Sequence, residues 1–244
     1  FEKCNLYIKD LLFANMSAES GAVAYAMLTG TTSYIPEATK DLYRFSGIAH
    51  IFSVSGLHIS FVAHFLNKIT KRINVKKIYK SFFIIIFLIF YSGICNFTLS
   101  SIRAVIMCSV LLLCGSFGEK YDILNSLLIS LSFTLFVNPF ALYSVGLQLS
   151  YLSVFGIIVL ANTFKRALKK LPDKIGEAIS VSLSASVMTL PVMMEVFGYF
   201  SIVSVIYNLI FIPLVTFIFL TLIITIIISL LIKLKFIFYL ADEA

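Results

Sequence analysis

Residues 202–232 read IVSVIYNLIFIPLVTFIFLTLIITIIISLLI, without one Asp, Glu, Lys or Arg. A helix needs about 20 predominantly apolar residues to cross a bilayer. This stretch therefore belongs in lipid. It is also too long for one straight span, and Pro213 divides it. Proline inside a helix removes a backbone hydrogen bond and favours a break. The expectation is a short or re-entrant half-helix over 201–212 and a full span over 214–232. Non-helical backbone at that depth is tolerated where protein buries it.

The rest of the chain agrees. Of 244 residues, 60% are apolar and 13% charged, with a mean hydropathy of +1.01. Soluble domains carry about 25% charged residues. Half that fraction cannot coat a water-facing body. The expected fold class is an all-α integral membrane protein, a polytopic transmembrane helix bundle with one broken or re-entrant helix. The first residue is Phe, and no basic region leads a short apolar stretch. No signal peptide is expected, and the chain reads as a segment of a longer protein.

Residues 1–48 are expected to form extracytoplasmic, interfacial amphipathic helices, because charges from Lys3 to Arg44 interrupt the apolar stretches. Pro36 suits the first turn of a helix over Glu37–Phe45. A polytopic membrane domain follows over 49–240. Its apolar segments are expected near 51–67, 80–96, 101–117, 123–137, 144–162 and 175–195. With 214–232 this makes seven spans, besides the half-helix.

Charge placement orients them. The connection after the first segment holds Lys68, Lys71, Arg72, Lys76, Lys77 and Lys80. The connection after the fifth holds Lys165, Arg166, Lys169, Lys170 and Lys174. Lys and Arg mark cytoplasmic loops. Segments one, three and five then run inward, and two, four and six outward. About half of the net charge of +7 is explained this way without invoking nucleic acid.

Small residues mark helix contacts in lipid. Gly176, Ser180 and Ser184 recur every fourth residue, as do Gly146 and Ser150. The fifth and sixth segments are expected to be interior neighbours. Ser182, Ser186 and Thr189 widen the polar surface of the sixth. It is either plain packing or the wall of a hydrated path. Cys4, Cys95, Cys108 and Cys114 form no CxxC pair and read as small hydrophobes rather than metal ligands.

Polar groups at membrane depth are functional candidates. His58 follows Ser55-Gly56, where Gly permits unusual backbone angles and Ser caps helices. It is either a structural histidine bonded to a neighbouring helix or a residue lining a path. His50, His58 and His64 lack a common helix face, which argues against a three-His metal site. Arg103 lies near the start of the third segment, where a cation opposes the helix dipole. It either snorkels to lipid phosphates or binds an anion at the outer mouth of the bundle, a task its planar fork suits. Gln148 is interhelical glue or a lining residue. Glu195 reads as a solvated end. Tyr207, Asn208 and Pro213 read as parts of a buried irregular element.

Four motifs carry a resemblance. Gly47-Ile48-Ala49-His50-Ile51-Phe52-Ser53-Val54-Ser55-Gly56-Leu57-His58-Ile59 is the first. Ser101-Ile102-Arg103-Ala104-Val105-Ile106-Met107 is the second. Asn138-Pro139 with Val145-Gly146-Leu147-Gln148-Leu149-Ser150-Tyr151-Leu152 is the third, and Phe197-Gly198 with Asn208 and Pro213 the fourth. In this order they resemble the signatures of the ComEC/Rec2 competence family, over about residues 28–215. Tyr151 departs from the family's usual Phe, and Glu195 from its uncharged or basic residue.

The resemblance implies a channel that passes single-stranded DNA across the bacterial cytoplasmic membrane during natural transformation. It implies Ser55, Gly56, His58, Arg103, Gln148, Ser150 and Asn208 near the DNA path. The implied partners are single-stranded DNA, the bilayer and other competence proteins such as a DNA receptor and a cytoplasmic translocase. A homo-oligomer stays open. No cofactor, metal or enzymatic activity is expected. Two rivals stand beside this reading. A small-solute transporter would use a pocket beside a broken helix. An intramembrane serine hydrolase is argued against, because its base should come from another helix and all three His lie within residues 50–64.

Overall fold

The computed structural model describes the backbone of residues 1–45, 56–198 and 204–242, and side chains over 1–43, 56–198, 207 and 210–229. The elements in chain order are α1 (Glu2–Asn15), α2 (Ala18–Thr29), α3 (Glu37–Phe45) and α4 (Gly56–Thr70). Then come α5 (Lys77–Ile94), α6 (Leu99–Phe117) and α7 (Ile123–Val137). A 3-10 turn (Pro139–Tyr143), α8 (Val145–Ala167), α9 (Asp173–Phe197) and α10 (Ser204–Asp242) complete the chain.

Local chemistry sets these ends. Thr98 accepts a hydrogen bond from the Ser101 amide and starts α6. Asp122 accepts from the amides of Leu124 and Asn125 and starts α7. Both supply the acceptor that a helix N-terminus otherwise lacks. At the other end of α6, Gly118 takes φ 79°, the left-handed conformation that closes a helix. Asn138-Pro139 stops α7 and opens the 3-10 turn, where the Asn138 side chain accepts from the Phe140 amide.

Side-chain pairs fix the helix directions. Gly56 of α4 meets Arg103 and Ala104 of α6, and Ser60 meets Cys108, so these helices run parallel. Ser92 of α5 pairs with Ser101 of α6, and Ser81 with Ser116, so these run antiparallel. Thr134 of α7 meets Tyr151 of α8, and Lys165 of α8 meets Glu177 of α9, giving two more antiparallel pairs. Arg103 of α6 reaches Ser150 of α8 near the same ends. Helices α4, α6 and α8 thus start at one end of the bundle, and α5, α7 and α9 at the other. The lysine-rich connections after α4 and α8 share the second end.

Five helices are long and apolar enough to cross a membrane: α5, α6, α8, α9 and Ile210–Ser229 of α10. Helix α7 is apolar but has 15 residues. The described part of α4 also has 15. Of the seven spans expected, five meet the length for a crossing among the described residues, and α4 and α7 are the two shorter helices. The outer surface is aromatic and aliphatic, with Phe136 89% exposed and Phe140 78%. Water would not tolerate so continuous an apolar surface. The chain is an all-α, multi-pass membrane protein.

Three expectations need correction. Helix α10 runs without interruption from Ser204 to Asp242 with Pro213 inside it, so no break or half-helix forms at Pro213. A break would bare several carbonyls, whereas one proline frees only one, and membrane helices tolerate that. Next, α9 does bury Gly176, Ser180 and Ser184, and it packs on α8. The residue facing that stripe is Gly156, not Gly146 or Ser150. A methyl carbon built on Gly156 would lie 2.5 Å from the Ser184 carbonyl oxygen and 2.6 Å from Met188 Cβ. Gly146 has only Ser144 nearby. Last, α2 is not amphipathic. Its Ala22, Ala24, Tyr25, Ala26, Met27 and Leu28 are all buried, and Tyr91 and Cys95 both donate to the Leu28 carbonyl.

Candidate functional site

The starts of α4, α6 and α8 converge on Arg103. The first turn of α6 is anchored on one side by a hydroxyl pair, Ser92 to Ser101 at 2.8 Å, both buried. The Ser101 hydroxyl also contacts the Thr98 carbonyl at 2.8 Å. Arg103 is two residues on, about 200° around the helix, and so projects away from α5.

Its side chain is 7% exposed. Nη1 donates to the Ser150 carbonyl of α8. The guanidinium carbon lies 5.8 Å from the centre of the Tyr151 ring, within cation–π range. Nη2 lies 2.9 Å from where a methyl carbon on Gly56 would sit, so the missing side chain of Gly56 makes room for it. Nε is buried without a hydrogen-bond partner among the described residues. No ion pair of Arg103 occurs among the described residues either. Tyr151 is buried and held from α7, its hydroxyl 3.3 Å from that of Thr134.

The chemistry of this arrangement is one-sided. A full positive charge is withdrawn from water and meets a neutral carbonyl and a ring face. Such a group is costly to bury without a counter-charge. An anion beside Nε would supply one, and a phosphate offers oxygens that match the guanidinium fork. Burial inside the bundle also removes the snorkelling alternative, which requires the head group to reach the lipid surface.

The other expected residues scatter. His58 is buried at 2% exposure, and its ring centre lies 4.3 Å from that of Phe219 in α10. It stands two residues from Gly56, hence on a different side of α4. Its described contact is with Phe219 of α10. His64 is exposed. Gln148 donates to the Leu142 carbonyl at 3.0 Å, tying α8 back to the 3-10 turn. Ser150 contributes its carbonyl, which also accepts from Ser153. Asn208 lies within α10, where its side chain is outside the described residues, as Ser55 is altogether. Glu195 is exposed. No group of His, Cys, Asp or Glu among the described residues could hold a metal ion.

Sequence reasoning missed three contributors. Tyr151 was legible only as a polar residue near a helix end, and its position next to Ser150 was the available signal. Phe219 sits in an unbroken apolar run and gave none. Gly156 offered its smallness, but two other small residues in α8 fitted the same pattern.

Arg103, Gly56 and Ser150-Tyr151 come from three separate motifs, and the fold brings them together. Comparison with known proteins identifies the family. The profile of the family described as Competence protein matches residues 27–242. ComE operon protein 3 of Bacillus subtilis (strain 168) is 29% identical over 201 residues, covering 82% of this chain and 25% of that protein. The uncharacterized protein YcaI of Escherichia coli (strain K12) is 26% identical over 212 residues, covering 83% of this chain and 28% of that protein. The chain thus spans about a quarter of the length of these relatives. No solved structure matches. With the profile covering nearly all of it, the chain belongs to the competence protein family.

Proposed function

We propose that this chain is the membrane conduit through which single-stranded DNA crosses the bacterial cytoplasmic membrane in natural transformation. One observation carries the reading. Arg103 is a buried cation at the meeting of three helices, with neutral partners, room made by Gly56 and an aromatic ring at its side. A strand passing this point would give the guanidinium a phosphate and the Tyr151 ring a base to stack upon. Family membership supports the same direction. In this reading the end that carries the two lysine-rich connections faces the cytoplasm, as the preference of Lys and Arg for cytoplasmic loops supports. Arg103 then stands toward the outer mouth. DNA would meet it before the rest of the path, and a receptor protein would deliver the strand there.

The chain's role in this reading is passage rather than catalysis. The solute-transporter alternative would use a pocket beside a broken helix, and α10 is continuous through Pro213. The test is uptake in a naturally competent host carrying the full-length protein with Arg103→Ala. Internalised DNA is counted after membrane abundance is confirmed. Normal abundance with lost uptake is the expected result. Normal uptake at normal abundance would overturn Arg103 as part of the path.

A further inference from the structure

The turn between α8 and α9 folds over the first residues of α9 and leaves an open hollow of about 510 Å³. Lys165, Arg166 and Lys169 line it, against one carboxylate, Asp173. Lys165 is partly neutralised from outside the lining by Glu177, 3.0 Å away. Arg166 and Lys169 are exposed. Helix α9 starts here on Pro172, which makes no side-chain cap bond, so the positive end of a 25-residue helix faces the hollow with Asp173 of its first turn as the one carboxylate beside it. Leu168 and Leu171 add apolar lining. Both helices are membrane spans by length and composition, so the hollow lies at the level where a span leaves the bilayer.

The geometry points to a binding site for the phosphate headgroup of an anionic phospholipid. Three features select this ligand. Cations and a helix start favour a phosphate. The two leucines offer the adjoining apolar contact that a lipid's glycerol and first acyl carbons need, and a free phosphate has no use for it. Basic hollows between membrane helices are suited to such headgroups. Topology alone asks for positive charge somewhere on a cytoplasmic connection. It does not ask for that charge to line one hollow beside a helix start. The site is independent of the DNA reading, and either can stand without the other.

The test uses purified full-length protein in nonionic detergent, equilibrated with mixed micelles of phosphatidylcholine containing phosphatidylglycerol. Retained lipids are counted by native mass spectrometry. One phosphatidylglycerol should be retained in preference to phosphatidylcholine. The double variant Arg166→Gln, Lys169→Gln should weaken that retention about tenfold or more, each cation near a membrane surface contributing about 1 kcal/mol. Glu177→Gln releases Lys165 from its ion pair and should strengthen retention. This opposite sign separates the effect from misfolding. Lys76→Gln with Lys80→Gln removes equal charge from the start of α5, at the same end of the bundle, and should leave retention unchanged. Equal losses in both double variants, or no preference between the lipids, would overturn the proposal. So would full displacement by inorganic phosphate or by a single-stranded oligonucleotide at matched concentration, since either would show that the apolar lining plays no part.

Discussion

Two glycines in this bundle perform opposite services. Gly156 of α8 admits a helix backbone: the Ser184 carbonyl and Met188 fill the space that a side chain would take. Gly56 of α4 admits a charge: the tip of Arg103 lies where its side chain would be. The α8–α9 seam is packing between small residues, with the Ser180 and Ser184 hydroxyls donating to their own helix. The Arg103 junction is held by a charged group on neutral partners. The first arrangement is complete in itself. Among the described residues the second lacks a counter-charge, and that deficit separates a site from a contact.

The comparison breaks most readily at Gly156. A side chain there must push against backbone, which cannot give. Gly156→Ala should destabilise the protein by about 1–3 kcal/mol, and Gly156→Leu should prevent its accumulation in the membrane. Unfolding in a denaturing-detergent titration, with membrane abundance, checks both. Arg103→Met should do the reverse. Replacing a buried charge that has no ion-pair partner among the described residues by an apolar group of similar length is neutral or stabilising. Stability should therefore hold while internalised DNA falls about tenfold or more, the loss of one charge-assisted phosphate contact.

Gly56→Ala sharpens the contrast, because its obstacle is the end of a flexible side chain. Shifting that tip should cost no more than about 0.5–1.5 kcal/mol, with a smaller loss of uptake than Arg103→Met. Combined with Arg103→Met, the substitution should have no further effect, a coupling that a double-mutant cycle measures. The smallest effect belongs to Gln148, whose amide serves the 3-10 turn. Gln148→Ala should cost about 0.5–1 kcal/mol and leave uptake unchanged. Lost uptake at normal abundance would move Gln148 onto the path.

These outcomes bear on how much the sequence could say. Helix positions followed from apolar length, and α7 starts and stops at the residues expected. The Gly176-Ser180-Ser184 stripe was legible because a spacing of four keeps residues on one face. Its partner was not, because the point where two helices cross depends on the tilt set by the five residues joining them. Pro213 misled because its local cost was weighed without the larger cost of bare carbonyls in lipid. The burial of α2 had a signal: residues 20–36 carry no charge between flanks that do. Arg103 was legible as an anomaly, but its surroundings came from residues 47 and 48 positions away, and no local pattern joins Gly56, Ser150 and Tyr151 to it.

The most direct measurement places a photoreactive phenylalanine analogue at Tyr151 of the full-length protein in a competent host during uptake of labelled DNA. The same analogue at Val187, a residue of α9 beside the packing seam, serves as the comparison. The account predicts a protein–DNA crosslink at position 151 and none at 187. Absence of a crosslink at 151 while uptake proceeds, or equal crosslinking at both positions, would contradict it.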